Sequence, residues 1–121
     1  MRTFRTVLLA ASLACIGTAV SAHPLPKSVT PKPNSVLMTS PTEIRIGFSE
    51  SLVTAFSGLE VDDASGKAME TGDATLNPND GKELIVPVKT KLSAGTYTVK
   101  WHAVGTDTHH VSGHYSFQVK A

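Results

Sequence analysis

The sequence predicts an all-β domain built as a Greek-key sandwich or barrel, and two observations support this prediction. Apolar residues recur with a period of two through most of the chain after residue 22, which is the spacing of a strand with one buried face. Clusters of turn-forming residues separate these short runs, at 31–34, 62–66, 77–81 and 93–95. Short strands punctuated in this way are typical of sandwiches and barrels.

Five segments have the composition of strands. The segment 43–48 alternates most regularly, whereas 84–88 is continuously apolar, with Pro87 favouring an edge strand or a bulge because proline cannot donate to the ladder. Only 51–56 lacks alternation, and it is expected to form a single helical turn. The side chains expected to face inward are Ile44, Ile46, Phe48, Leu59, Val61, Tyr97, Val99, Trp101, Ala103, Tyr115, Phe117 and Val119.

Residues 1–22 have the layout of a secretory signal peptide. Arg2 and Arg5 form a positive start, a 14-residue apolar run follows at 7–20, and small residues precede His23. This run is shorter than the roughly 20 residues that a membrane-spanning helix needs. Cleavage would therefore release a mature chain that begins with histidine and has no transmembrane segment.

The mature chain, residues 23–121, has a length suited to one domain. Nine lysines and arginines face ten aspartates and glutamates, so near-neutral charge argues against nucleic acid or an anionic membrane as partner. The only cysteine, Cys15, leaves with the signal, so no disulfide is expected. Lipid attachment at Cys15 is a rival to cleavage before His23, but the residues ahead of it fit that signal poorly.

Four potential metal ligands fall within eight residues at 107–114, which we expect to form a loop leading into the last strand. Asp107 and His109 are two residues apart, so in an extended segment their side chains point to the same side. His110 would then point away. A carboxylate and an imidazole could therefore meet at one ion.

His23 adds two further nitrogen donors if it is the first residue of the mature chain. Its free amine and its ring Nδ1 can close a six-membered chelate around a metal ion. Pro24 has no amide proton, which excludes binding through successive deprotonated amides. With His109 and Asp107, the set comprises three nitrogens and one oxygen, which in a tetragonal plane suits Cu(II).

The mature chain resembles the CopC/PcoC family of periplasmic copper-binding proteins along nearly its whole length. Four segments support the resemblance: the amino-terminal His23, the stretch 41–50 ending in Gly-Phe-Ser-Glu, the run 92–101, and Asp107-x-His109 followed by Val-Ser-Gly. The resemblance implies an immunoglobulin-like Greek-key β-barrel or sandwich of about seven strands. It also implies that His23, Asp107 and His109 are the ligands of one Cu(II) ion, and that the protein is no enzyme.

The resemblance further implies a periplasmic protein that carries or sequesters copper for homeostasis or resistance, with a CopD-like inner-membrane protein as partner. The expected state is a monomer. Some family members have a second, Cu(I) site in a methionine-rich loop. The mature chain has only Met38 and Met69, far apart in sequence, so one Cu(II) site is expected. Met38 precedes a strand and is expected to pack against the core.

Two other functions fit parts of the pattern. Lytic polysaccharide monooxygenases also bind copper through an amino-terminal histidine on a β-sandwich, although Asp107 would occupy a position that they leave open. A metal-free adhesion or assembly module would make the histidines incidental. His110 and His114 match no family ligand and are interpreted as residues of the surface or as residues that contact the ligands from outside. His102 is interpreted as a surface residue.

Overall fold

Eight strands form two four-stranded sheets in the computed structural model, which describes residues 23–120. The strands are β1 (Pro26–Thr30), β2 (Val36–Leu37), β3 (Glu43–Phe48), β4 (Gly58–Asp62), β5 (Thr75–Asn77), β6 (Asp80–Pro87), β7 (Gly95–Val104) and β8 (His110–Val119). A 3₁₀ turn, Thr54–Phe56, lies between β3 and β4, as expected from its lack of alternation. Within the described residues, no helix has the length and apolar character needed to cross a bilayer.

The strand order is β1-β3-β6-β5 in the first sheet and β2-β8-β7-β4 in the second. All pairs are antiparallel except β2 with β8. The chain crosses from one sheet to the other after β1, β2, β3, β4 and β6. The predicted sandwich is thereby confirmed; the two sheets do not close into a barrel.

The core lies between the two sheets and contains most of the side chains that alternation placed there. In β3, Ile44 and Ile46 are 0% exposed, and burial of each such side chain contributes about 1.5–3 kcal/mol. Across β7 and β8, Tyr97 stacks on Phe117 with ring centroids 5.8 Å apart. The other large buried apolar side chains are Phe48, Leu52, Val61, Leu84, Val86, Leu92, Val99 and Val119.

Two predictions about single residues are wrong. The strand that contains Pro87 is not at an edge, because β6 pairs with β3 on one side and with β5 on the other. Nor does Pro87 mark a bulge, since the register shift between β5 and β6 lies at Leu76/Asn77. Pro87 is the last residue of β6, where its carbonyl accepts a hydrogen bond from Gly72 and Val88 supplies the next amide donor, to Thr42. Met38 does not pack into the core, since it is 74% exposed after the short β2.

Candidate metal centre

The predicted ligands Asp107 and His109 lie at the tip of the hairpin formed by β7 and β8. These two 10-residue strands pair from Gly95 opposite Val119 up to Val104 opposite His110. A short loop, 105–109, joins them. The prediction that 107–114 forms one loop is therefore wrong in its second half, because pairing with β7 extends β8 back to His110.

Asp107 and His109 meet through a turn, and not through the extended segment that we expected. The Oδ2 atom of Asp107 lies 2.8 Å from Nδ1 of His109, and Oδ1 accepts the backbone N–H of His109 at 3.2 Å. The loop closes on Gly105, whose N–H donates to the His109 carbonyl at 3.0 Å and whose carbonyl accepts from Thr108 at 2.9 Å. The carboxylate thus holds both the backbone and the ring of His109.

The contact with Asp107 decides which ring nitrogen of His109 is free to bind a metal ion. An ionised carboxylate only accepts hydrogen bonds, so Nδ1 of His109 must donate, and Nε2 of the neutral ring keeps its lone pair. The His109 hydrogen bond is also the main cause that lowers the pKa of Asp107 below its usual range. The carboxylate therefore orients the ring so that Nε2 faces away from it, which is the usual support of a metal-binding histidine.

Thr108 is strained where it lies between these two side chains. Its φ is 75°, in the left-handed region that a β-branched residue rarely adopts. Such a residue costs on the order of 1–3 kcal/mol, whereas glycine adopts the same conformation freely. The turn that brings Asp107 and His109 together imposes this strain.

Replacing Thr108 by glycine should therefore stabilise the metal-free protein. We expect Thr108→Gly to raise the free energy of unfolding by about 1 kcal/mol, measured by denaturant titration. The matched control is Thr106→Gly in the same loop, where no positive φ is relieved, and a loss of roughly 0.5–1 kcal/mol is expected. Equal losses in both variants would show that position 108 is not strained.

The amino-terminal arm, residues 23–25, brings His23 to the hairpin tip. The rings of His23 and His109 have centroids 4.6 Å apart and lie edge to face. Pro24, which is buried, packs beside Gly105. Residues from opposite ends of the domain therefore meet at one place, so the structure brings together His23, Asp107 and His109.

Gly105 is the residue of this centre that sequence analysis missed. A Cβ atom at this position would stand 2.7 Å from Oδ1 of Asp107 and 3.5 Å from Cδ of Pro24. Only glycine lets the arm and the carboxylate approach each other this closely. The only signal in the sequence was a glycine two residues before Asp107, which is a common feature of any loop.

The donors of this centre suit a metal ion, but they are not all side chains. Within residues 23–120, no three His, Cys, Asp or Glu side chains already stand in a metal-holding geometry. The rings of His23 and His109 and the carboxylate of Asp107 are close, but Nδ1 of His109 is directed at the carboxylate. The remaining nitrogen would be the His23 amine, which exists only after cleavage; residues 1–22 lie outside the described part of the chain.

The other histidines lie away from the centre. His102, His110 and His114 are exposed on the outer face of the second sheet. The ring of His102 lies over Gly58, so that a Cβ at position 58 would be 3.2 Å from its Cε1 atom. The structure therefore gives these three histidines no contact with His23.

Trp101 lies below the hairpin tip, on the inner face of β7. It is half-buried, and its ring covers Gly113 on β8 and meets Phe48 edge to face, with ring centroids 5.4 Å apart. Phe48 is the last residue of β3 and directly precedes Ser49, which contacts the arm. The chain's only tryptophan thus packs against the residue that directly precedes Ser49.

Comparison with known proteins agrees with this architecture. The model of the CopC domain family matches residues 26–120. "Protein YobA" of Escherichia coli (strain K12) is 36% identical over 119 residues, which cover 98% of this chain and 96% of that protein. "Copper resistance protein C" of Pseudomonas syringae pv. tomato is 36% identical over 124 residues, which cover 98% and 97%.

Solved structures extend the similarity to the fold. The crystal structure of PcoC, described as a methionine-rich copper resistance protein from Escherichia coli, is 35% identical and superposes with a TM-score of 0.73. The superposition covers 82% of this chain and 100% of PcoC. The family model matches nearly all of the described residues, and the two relatives align with this chain over 96% and 97% of their own length. This chain therefore belongs to the CopC domain family.

Proposed function

We propose that the mature chain is a copper carrier or sequestering protein that holds one Cu(II) ion through His23, Asp107 and His109. The observation that supports this most is the 4.6 Å approach of the His23 and His109 rings, with Asp107 bonded to the second ring. A domain that only needed to fold has no reason to bring two imidazoles and a carboxylate to one pole. The copper resistance protein among its relatives supports copper as the ion.

The donor chemistry favours Cu(II) over Cu(I). The amine and ring of His23, Nε2 of His109 and an oxygen of Asp107 make three nitrogens and one oxygen. In the structure the Asp107 carboxylate lies at Nδ1, on the opposite side of the His109 ring from Nε2. Asp107 must therefore give up this bond when it offers an oxygen to the same ion. A thioether site for Cu(I) has little support, because Met38 is exposed whereas Met69 packs against the core.

Carriage is a better proposal than oxygen chemistry. A copper enzyme that activates oxygen needs an open position in the coordination plane, and Asp107 beside His109 is placed to fill it. We therefore propose no catalytic role.

The expected location is the periplasm, reached with the signal peptide of residues 1–22, and the expected acceptor is a CopD-like inner-membrane protein. We also propose that the carrier acts as a monomer.

The test is a competitive Cu(II) titration of the chain that begins at His23, in which the quenching of Trp101 fluorescence reports how much Cu(II) is bound. We expect His109→Ala to weaken Cu(II) binding by at least about 100-fold, since residues that merely orient a ligand already contribute 10- to 100-fold. The matched control is His114→Ala, an exposed histidine on the same hairpin, which should bind Cu(II) like the wild type. Equal affinity of both variants would overturn the proposed site.

A further inference from the structure

The amino-terminal arm is held by the serine of the Gly-Phe-Ser-Glu stretch, which in the sequence supported only the family resemblance. Ser49 directly follows β3 and makes three hydrogen bonds with the arm. Its Oγ accepts the N–H of Leu25 at 2.9 Å and donates to the His23 carbonyl at 3.3 Å. Its own N–H donates to the Leu25 carbonyl at 2.8 Å.

These bonds use the donor of the Ser49 hydroxyl, one of its acceptor sites and the backbone N–H beside it. A serine hydroxyl has one donor and two acceptor sites, so the same oxygen can join His23 and Leu25 at once. Pro24, between them, has no N–H of its own and is buried beside Gly105. The arm is therefore fixed on both sides: Ser49 holds its backbone, and the hairpin loop holds its proline ring.

Holding the arm matters for binding because an unfastened amino terminus must be ordered when the ion arrives. Rigid placement before binding removes that entropic cost from the affinity. Since His23 is exposed and its ring already lies against His109, the backbone contacts of Ser49 keep it there. Without the hydroxyl, the His23 carbonyl and the Leu25 amide would form their hydrogen bonds with water instead.

We infer that Ser49 is a positioning residue of the copper site, acting through the arm and not by touching the ion. This inference rests on the proposed function. It predicts that the hydroxyl of Ser49 matters only when His23 can bind copper with its free amine. A residue that merely stabilised the fold would matter equally whether or not the amine is free.

A double-mutant cycle separates these two roles. Ser49→Ala is measured in the chain that begins at His23 and in a chain with one extra residue before His23, by competitive Cu(II) titration. We expect about a tenfold loss of affinity in the first background and no further loss in the second. Ser49→Thr, which keeps the hydroxyl, should recover most of the affinity.

The control is Ser51→Ala, an exposed neighbour whose contact with the hairpin runs through its backbone carbonyl, which accepts from Thr106. It should bind Cu(II) like the wild type. Equal losses for Ser49→Ala in both backgrounds, no loss in either, or failure of Ser49→Thr to recover affinity would overturn the inference. Failure of the proposed function looks different: the extra residue would leave Cu(II) binding of the unmutated chain unchanged.

Discussion

One extra residue before His23 should lower the affinity for Cu(II) by at least about 100-fold, the largest effect that we expect from any single change. The extension turns the free amine into an amide nitrogen and so destroys the chelate of amine and ring. It leaves Asp107 and His109 in their turn. Loss of a direct donor should exceed the 10- to 100-fold effect of a group that only orients a ligand.

The measurement is a competitive Cu(II) titration of the extended chain beside the chain that begins at His23. Two further forms define the result. A chain that begins at Pro24 should bind at least as weakly as the extended form, because it lacks the His23 ring as well as the chelate. One extra residue after Ala121 should change nothing. Equal affinity of the extended and the native forms would exclude an amino-terminal chelate, even if the histidine rings contribute.

Replacement of Gly113 by alanine should cost about 2 kcal/mol of folding free energy, because β8 has no room for a methyl group there. A Cβ atom would stand 2.5 Å from Cζ2 and 2.8 Å from Cε2 of Trp101. The indole is rigid and rests against Phe48, so it cannot turn aside without disturbing the core. For a domain of this size, the expected fall in Tm is about 10 °C.

The matched control for this change is Gly81→Ala in β6. An added Cβ at position 81 meets nothing within 4 Å, so stability should stay the same or rise slightly. Thermal unfolding of both variants, followed by circular dichroism, gives the comparison. A Gly113→Ala protein that is as stable as Gly81→Ala would mean that the indole does not lie over Gly113.

The sequence predicted the sandwich well because burial on one face leaves a direct mark on composition. Ile44 and Ile46 alternate with polar residues, and both proved fully buried. Segment boundaries were less visible: polar residues around Ser112 resemble a loop, yet they pair with β7. Met38 was misplaced because an apolar side chain beside a strand carries no sign of whether another element covers it.

The candidate site was predicted as a set of residues, but not as a geometry. Asp107 and His109 approach through a turn that depends on the left-handed Thr108, and threonine gives no hint of positive φ. The clearance at Gly105 and the bonds of Ser49 depend on the arm meeting the hairpin. Such contacts between the two ends of a domain exist only after folding.

The two halves of the site are anchored with very different strength, and this asymmetry sets an order of events. His109 lies at the tip of a hairpin with 10 paired residues on each strand, whereas His23 lies on a three-residue arm. The bonds of Ser49 and the packing of Pro24 hold this arm. Segments with fewer bonds open more often, as faster amide hydrogen exchange reveals. A departing ion would therefore lose its amino-terminal ligands first and remain, for a moment, on the hairpin. The side of the ion that opens toward an incoming acceptor is then the side that the arm has left.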